Sequence, residues 1–458
     1  MAKLLSVGLD VGTTTTQLVV SSLQVENKAS SFAVPDMDIT DRKVIYRSEV
    51  IFTPLKREQL VDGEQIRNWV AGEYQKAGIS QKEVDTGAII ITGETSRKEN
   101  AAQVLSALSD FAGDFVVATA GPALESVLAA KGAGAVAASL EEGKMILHMD
   151  IGGGTSNLAL IENGTVIRTG CLNVGGRLLK FDAGGKITYV SPVLEGLTDL
   201  QPGQHPAPMQ VEAIAKILTQ ALEMAAGLRP VTPLLEKLWT KECGPVWQIP
   251  KDAVTVSFSG GVADCIKTIQ DYKRFGDMGP MLGQAIFQSL LCQRPFLLGQ
   301  ETIRATVIGA GCHSASLSGS TVYWHNVALP VKNLPVIAFT EQEQESGELP
   351  SLIGRRIQQA DAQQVVLAMP GYAVSTYEKV SALAKKIARV KEKQLYLCFE
   401  NDMAKALGHC LQLMESAPER CLCIDGLKLQ EGSFLDIGLP VGPALPVVIK
   451  TLILSKEG

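Results

Sequence analysis

Two aspartates 140 residues apart sit in the same local sequence. Residues 9–18, LDVGTTTTQL, align without a gap on residues 149–158, MDIGGGTSNL, so that Asp10 matches Asp150, Gly12 matches Gly152, Thr15 matches Thr155 and Leu18 matches Leu158. An acidic residue that ends an apolar run and leads into a Gly/Thr turn has a specific chemical use. Glycines let backbone N–H groups approach an anion closely in a concave nest, and threonine hydroxyls add donors. A carboxylate does not contact phosphate favourably; beside such a nest it holds a hydrated Mg²⁺ or orients an attacking water. Asp10 and Asp150 are therefore the candidate catalytic and Mg²⁺-holding carboxylates, and Gly12, Thr13, Thr14, Thr15, Gly152, Gly153, Gly154 and Thr155 the candidate phosphate donors. Two unrelated Gly-rich turns are the bland alternative, which the repetition disfavours.

The elements that must position these residues are legible around them. LLSVGL and QLVVSSL flank the first copy, MILHM and NLALIENG the second, so each copy reads as strand, tight turn and returning strand. A helix with Ile66, Trp69, Val70 and Tyr74 on one face, the strand GAIIITG, a helix at ENAAQVLSAL and the strand FVVATAG then imply a mixed sheet covered by helices. GGRLLKFDAGGKITYVSP reads as a hairpin, and QPGQHPAP as a break before a helix carrying Val211, Ile214, Leu218 and Leu222. DAVTVSFSGGVADCI is an alternating strand that runs through Ser259, Gly260 and Gly261 into a helix, a corner against which a flat ligand can lie. TIRATVIGAGCHSASLSGS reads as a strand entering Gly309-Ala310-Gly311 and then a helix; as a dinucleotide fingerprint it lacks its third glycine, since position 314 is Ser. Pro330, Pro335 and the polar run TEQEQESGELP are expected to form a linker. Beyond it, strands alternate with helices striped by Val380, Leu383, Ile387 and Val390 and by Ala404, Leu407, Leu411 and Met414, giving a separate α/β domain at 340–458.

Composition bounds the function. In 458 residues, 46% hydrophobic and 20% charged, there is ample material for two or three packed domains. The net charge of −6, with nothing more basic than Lys385-Lys386 or Arg355-Arg356, argues against a nucleic-acid partner. No run approaches the ~20 apolar residues of a membrane span, and Asp10 falls where a signal peptide needs its apolar core, so a cytoplasmic protein without a membrane is expected. Nine scattered cysteines with no CxxC pair suggest neither a disulfide framework nor a zinc site, and Cys421 and Cys423 are expected to share one strand face as reduced core residues. His148, His313 and His409 read as satisfied sheet and helix histidines.

Four of these stretches, in this order and at this spacing, resemble the nucleotide-binding elements of the actin, hexokinase and Hsp70-type ATPase superfamily. VGLDVGTTTT looks like its first phosphate loop, MDIGGGTSNL its second, VSFSGGVADC its adenosine motif and VIGAGCHSASLSG its second connecting helix. The resemblance covers roughly residues 4–325 and implies a two-lobed actin-like α/β fold, with mixed sheets and helices, that closes on ATP and Mg²⁺. It implies a first lobe at 1–145 and a second at 146–325 that ends in a connecting helix returning to the first. Asp10 and Asp150 would face one another across the phosphates, with Thr13 and Thr14 cradling the β and γ positions and Gly152, Gly153, Gly154 and Thr155 the opposite side. Gly260 and Gly261 would back the adenosine, and Gly309 of the connecting helix is counted with the nucleotide-contacting residues. Glu125, in AGPALESVLAAKGAG, stands where the superfamily usually places a carboxylate on its first connecting helix; an ordinary surface glutamate is the alternative.

Over its whole length the chain is similar to the reactivating factors of ethanolamine ammonia-lyase, in LLSVGLDVGTTTTQLVVS, ITGETSRKENA, FENDMAKALGHCLQ, GSFLDIGLPV and ALPVVIKTLIL. Such factors use ATP to release damaged cobalamin from an adenosylcobalamin enzyme so that intact coenzyme can enter. The resemblance implies a slow Mg²⁺-dependent ATPase acting as a molecular chaperone, with ethanolamine ammonia-lyase as its partner and the cobalamin held by that partner. Residues 340–458 would contribute to docking, and the resemblance admits a homo-oligomer and association with a bacterial microcompartment. Two rival readings are a small-molecule kinase using Asp150 as general base and a non-hydrolysing scaffold with a degenerate cleft.

Overall fold

The two aligned segments fold alike, down to the register of their strands. A computed structural model of the chain describes residues 2–12, 15–28, 37–57, 60–91, 116–119, 122–247, 249, 254–268, 275–313, 315–318, 321–360, 362, 364–440 and 444–451. Ala2–Val11 pairs antiparallel with Thr15–Asn27, setting Asp10 opposite Gln17 and Val11 opposite Thr16. Ile146–Ile151 pairs antiparallel with Ser156–Glu162, setting Asp150 opposite Asn157 and Ile151 opposite Ser156. Both turns close on the same bond, from Gly12 N to Thr15 O and from Gly152 N to Thr155 O, each 2.9 Å.

The sheets around them share one topology. In the first the order is Met37–Arg47, Thr15–Asn27, Ala2–Val11, Thr86–Ile91 and Val116–Thr119, with Ile51–Phe52 paired to the start of Thr15–Asn27. In the second it is Thr165–Leu172, Ser156–Glu162, Ile146–Ile151, Thr255–Ser259 and Leu297–Leu298. Each sheet is an antiparallel meander whose first strand continues into two parallel strands. The parallel strands Thr86–Ile91 and Ile146–Ile151 are buried on both faces, as covering helices require. This is a two-lobed actin-like α/β arrangement, as the resemblance implies. Helix Gly63–Ala77, capped by Asp62 and ended by left-handed Gly78, lays Ile66, Val70 and Tyr74 on the first sheet. Helix Pro208–Ala225 lays Val211, Ile214, Leu218 and Leu222 on the core of the second, and the expected hairpin forms from Leu179–Phe181 and Ile187–Val190. The helix expected at ENAAQVLSAL lies outside the described residues.

Helices Pro122–Gly132 and Ala305–His313 cross at glycines. A Cβ on Gly132 would stand 1.9 Å from Ala305 O, one on Gly309 2.0 Å from Leu128 O, and one on Gly8 2.5 Å from Val307 O. Only glycine permits these approaches. They explain why TVIGAG, expected as a strand, is helical. Thr306, Val307 and Ile308 favour a strand only weakly, and close packing of this helix on Ala2–Val11 and Pro122–Gly132 overrides that preference.

A third, eight-stranded sheet has the order Ala315–Leu317, Pro446–Thr451, Ser433–Ile437, Val331–Ala338, Val366–Met369, Gln394–Phe399, Arg420–Ile424 and Tyr323–His325. The expected linker is thus corrected. Pro335 lies inside a central strand, close to a register shift at Val331 and Leu334 where a missing N–H is tolerated. Thr340 and Glu343 form the capping box of helix Glu341–Glu345, so the polar run is a cap signal rather than a spacer. The sheet also draws in strands from residue 315 onward, earlier than 340. Helices Tyr377–Ile387 and Ala404–Gln412 bury Val380, Leu383 and Ile387, and Ala404, Leu407 and Leu411. Cys421 and Cys423 share a face with sulfurs 3.6 Å apart, too far for a bond, and all nine cysteines are free thiols. Among the described residues no single helix is long and apolar enough to cross a membrane. The pair Pro122–Gly132 and Ala135–Glu142 meets the length and composition together but bends by 63° and buries Leu128, Ala129 and Ala130.

Candidate functional site

Strand alternation decides what surrounds Asp150. Where Ile146–Ile151 runs parallel to Thr255–Ser259, Ser257 is in register with His148 and Ser259 with Asp150. Side chains two apart on a strand share a face, so these four polar groups meet on one side of the sheet. Ser259 Oγ donates to Asp150 Oδ1, and Thr306 Oγ1 donates to Asp150 Oδ2 at 3.4 Å. His148 Nε2 lies 2.9 Å from Ser259 Oγ, and its Nδ1 3.1 Å from Ser257 Oγ. With the Ser259 proton committed to the carboxylate, His148 presents Nε2–H to Ser259 and accepts from Ser257 at Nδ1. Burial pushes the His148 imidazole down to about 3, keeping it neutral. Burial also pushes the Asp150 carboxyl up to about 6, against the opposing pull of the Ser259 and Thr306 hydroxyls. Above about pH 6 the Asp150 carboxyl is mainly ionised, and the Ser259 and Thr306 hydroxyls fix the orientation of a carboxylate that can hold a cation or activate water.

Asp10 is buried to the same degree, 8% exposed against 9% for Asp150. Opposite it, Gln17 Nε2 donates to Ile303 O at 3.0 Å, while Gln17 Oε1 is buried with no hydrogen-bond partner among the described residues. The matching residue of the second copy, Asn157, donates from Nδ2 to Glu125 Oε2 at 2.8 Å. The chain from Glu301 to Thr306 ties both sheets together beside the two aspartates. Toward the first sheet, Arg47 Nε donates to Glu301 Oε1 at 3.0 Å and Arg304 Nη2 to Ser48 O at 3.1 Å. Toward the second, Gly260 N donates to Thr302 O at 3.0 Å, Thr302 Oγ1 donates to Asp264, and Thr306 reaches Asp150.

The second turn is oriented by its carbonyls. Gly152 O and Gly153 O accept from Gly176 N at 3.0 Å and Arg177 N at 2.6 Å, so the N–H groups of Gly153 and Gly154, across planar trans peptides, point the other way. Among the described residues a Cβ on Gly154 would meet nothing within 4 Å, and one on Gly152 only Thr155 O at 3.5 Å, so their packing does not demand glycine at either and leaves space for an anion. That space, two buried carboxylates and the orphan acceptor Gln17 Oε1 fit a phosphate with a water-clad Mg²⁺, whose water can donate to a buried acceptor otherwise costly by ~1–3 kcal/mol.

The remaining site residues divide by what packing asks of them. Gly12 and Thr15 close the first turn, while Thr13 and Thr14 lie outside the described residues. Glu125 is 7% exposed and bonded to Asn157, so it is no surface glutamate. Gly260 takes a φ of +87°, and its Cβ would stand 2.3 Å from Ile151 O, so the fold itself requires glycine there. Gly261 is exposed, its Cβ position meeting among the described residues only Ile303 Cδ1 at 3.9 Å, and it leaves a bare corner for a flat ligand; a short 3₁₀ turn, Ala263–Cys265, follows. Gly309 packs against Leu128 in the helix crossing, a use the sequence reading does not assign. That reading also misses Ser259, Thr306, Gln17 and Asn157 as neighbours that bond or face the candidate residues, and the Arg177–Asp277 pair beside the second turn. Ser259 had a signal, since S-F-S and H-M-D carry polar residues at the same period of two. The Arg177 Nε contact with Asp277 Oδ2, at 3.2 Å across 100 residues of chain, had none.

Known proteins resemble this chain over nearly its whole length. The family model described as ethanolamine utilisation protein EutA matches residues 2–455. The ethanolamine ammonia-lyase reactivase EutA of Salmonella typhimurium strain LT2 is 37% identical over 478 aligned residues, covering 98% of each chain. The reactivase of the same name from Escherichia coli K12 is 35% identical over 464, again covering 98% of each. Among solved structures, a PPX-GPPA enzyme of Aquifex aeolicus covers 67% of this chain and 99% of its own, at 13% identity and a TM-score of 0.42. The ethanolamine utilization protein EutJ of Carboxydothermus hydrogenoformans covers 67% and 89%, at 16% identity and a TM-score of 0.34. With the family model matching from the first strand into the last stretch of the chain, and two relatives aligned over nearly all of it, this protein belongs to the ethanolamine utilisation protein EutA family.

Proposed function

We propose that the chain is an ATP-dependent reactivating chaperone for ethanolamine ammonia-lyase, which uses nucleotide-linked closure of its two turn-bearing lobes to release damaged cobalamin held by the lyase. The activity named for the two curated relatives supports the target. The observation that carries the nucleotide reading is the duplicated unit of a buried aspartate ending a strand beside a turn closed by the same 2.9 Å bond. Gly12, Thr13, Thr14, Thr15 and Gly152 to Thr155 would hold the phosphates, Gly261 the adenosine corner above a Gly260 required by the fold, and Asp10 and Asp150 the water-clad Mg²⁺. Bound there, Mg-ATP supplies a phosphoanhydride whose hydrolysis makes the cycle directional.

The chain's own groups have definable tasks. Asp150, fixed by Ser259 and Thr306, is set to orient water or hold the cation's shell. Glu125, fixed by Asn157, is the second carboxylate available to position water. The segment from Glu301 to Thr306, bonded to both sheets, is placed to convert a change at either turn into relative movement of the lobes. A partner docked partly through residues 340–458 would experience that movement as a change in its affinity for its own cofactor.

The test is incubation of inactivated lyase with this chain, ATP, Mg²⁺ and fresh adenosylcobalamin. Activity should return only with ATP present, and Asp10→Asn and Asp150→Asn should each abolish the return. Full reactivation by both variants would overturn the assignment, and rapid phosphorylation of a small alcohol would identify a kinase instead.

A further inference from the structure

Arg177 occupies a position no role above explains. Its backbone N–H is bonded to Gly153 O, and its side-chain stem lies where a Gly153 side chain would be, with Cδ 3.2 Å from that Cβ position. Arg177 and the second turn are thus one packed unit. From there the guanidinium reaches toward the other lobe: its central carbon stands 5.8 Å from the centroid of the Phe52 ring. Phe52 belongs to the short strand paired to Thr15 at the first turn, and it is 75% exposed. One cation therefore lies between the two turns that carry the nucleotide reading.

Its partners leave most of its donors unused. Asp277 Oδ2 accepts from Nε at 3.2 Å, while Asp277 Oδ1 accepts from Gly279 N at 2.9 Å. Among the described residues the two terminal nitrogens, with four N–H donors, have no hydrogen-bond partner. A guanidinium held at Nε by a buried carboxylate, with its terminal fork over an exposed ring, is pre-aimed and only weakly engaged. A planar fork of this kind matches two oxygens of a phosphate, which binds it far better than an exposed ring does.

We propose that Arg177 is a further phosphate-binding residue of the cleft. It leaves Phe52 to engage the terminal phosphate of a nucleoside triphosphate, so that the cleft distinguishes triphosphate from diphosphate. This rests on the reading of the cleft as a nucleotide site. Because Arg177 is packed against the second turn and Phe52 is paired to the first, the exchange also reports the state of the nucleotide to both lobes. Asp277 aims the guanidinium and is a positioning residue.

The test is calorimetric titration of the full chain with Mg²⁺ and either a non-hydrolysable ATP analogue or ADP, with a thermal melt of every variant. Arg177→Ala should weaken the triphosphate analogue about tenfold or more, the scale of a lost charge-assisted bond, and leave ADP within about twofold of wild type. Arg177→Lys should restore part of the difference, and Phe52→Ala should leave the preference for triphosphate in place. Equal weakening of both nucleotides, or of neither, would overturn the proposal. Asp277→Asn, which removes the aiming charge but keeps an acceptor for Nε, should weaken the triphosphate analogue by less than Arg177→Ala and spare ADP; equal loss of both nucleotides in Asp277→Asn would overturn its positioning role. A wild-type chain that binds neither nucleotide would instead sink the nucleotide reading beneath it, and the two failures are distinguishable.

Discussion

Replacing Gly309 by alanine separates two uses a glycine could have in the connecting helix: contact with a nucleotide, or close approach of two helices. The new Cβ would stand 2.0 Å from Leu128 O, 2.6 Å from Leu128 C and 2.9 Å from Leu128 Cα. All three neighbours are backbone atoms, so no side-chain rotation relieves the clash and the helices must part by about an ångström. Overpacking of this kind costs about 1–3 kcal/mol, and the upper end is expected because Gly132 and Gly8 also approach the same helix closely, with Cβ positions 1.9 and 2.5 Å from its carbonyls. In a lobe of this size about 3 kcal/mol lowers the melting temperature by roughly 6–12 °C. The same displacement moves the start of the helix, loosening the Thr306 bond to Asp150 and the Gln17 bond to Ile303, so Mg-ATP affinity should fall as a secondary effect. The assay is thermal and urea unfolding followed by circular dichroism without nucleotide, paired with calorimetric titration of Mg-ATP. Gly72→Ala is the control: that glycine lies within helix Gly63–Ala77 with nothing among the described residues within 4 Å of its Cβ position, and alanine there should stabilise by about 0.5–1 kcal/mol. If Gly309→Ala melts like wild type and loses only nucleotide affinity, the packing reasoning is wrong and Gly309 is a ligand contact.

Asp150→Asn should stabilise the nucleotide-free chain while destroying Mg-ATP binding. Burial raises the Asp150 pKa from 3.8 to about 6, so its stabilising contribution is fully present below about 3.8 and is lost as pH rises through about 6. At pH 7.5 the ionised group is a penalty of up to about 3 kcal/mol, so the variant's gain in urea unfolding should be largest there and shrink toward pH 4; a gain independent of pH refutes this. Glu125→Gln keeps an acceptor for Asn157 and should melt within about 0.5 kcal/mol of wild type while hydrolysis falls about tenfold or more; hydrolysis within twofold would reduce Glu125 to a structural acceptor. Asp425→Ala removes the carboxylate oxygen that accepts from Met403 N at 3.0 Å, Ala404 N at 2.9 Å and the Thr321 hydroxyl, and should cost about 2–3 kcal/mol in urea unfolding, partly recovered by asparagine.

The sequence by itself determined whatever is encoded within a few residues. The matched runs at Asp10 and Asp150 specify two strands, two turns and their register, because alternation assigns each side chain a face and the Gly/Thr spacing sets the turn. The stripes at Val211 and Ile214 or at Val380 and Leu383 specify which helix faces are buried, and the alternation in CLCID specifies that Cys421 and Cys423 point together. Only the tertiary structure decided what distant elements do to one another. TVIGAG becomes helix because two backbones must pass it at glycines, and the polar run after Pro335 caps a helix because its preceding strand is held by partners at 366–368 and 434–437. Glu125 is buried against Asn157 rather than exposed on its helix, and Arg177 is set between Asp277 and Phe52. Such contacts join residues tens to hundreds of positions apart. They depend on how whole elements pack, and packing leaves no periodic trace in the local order of residues from which a partner could be read.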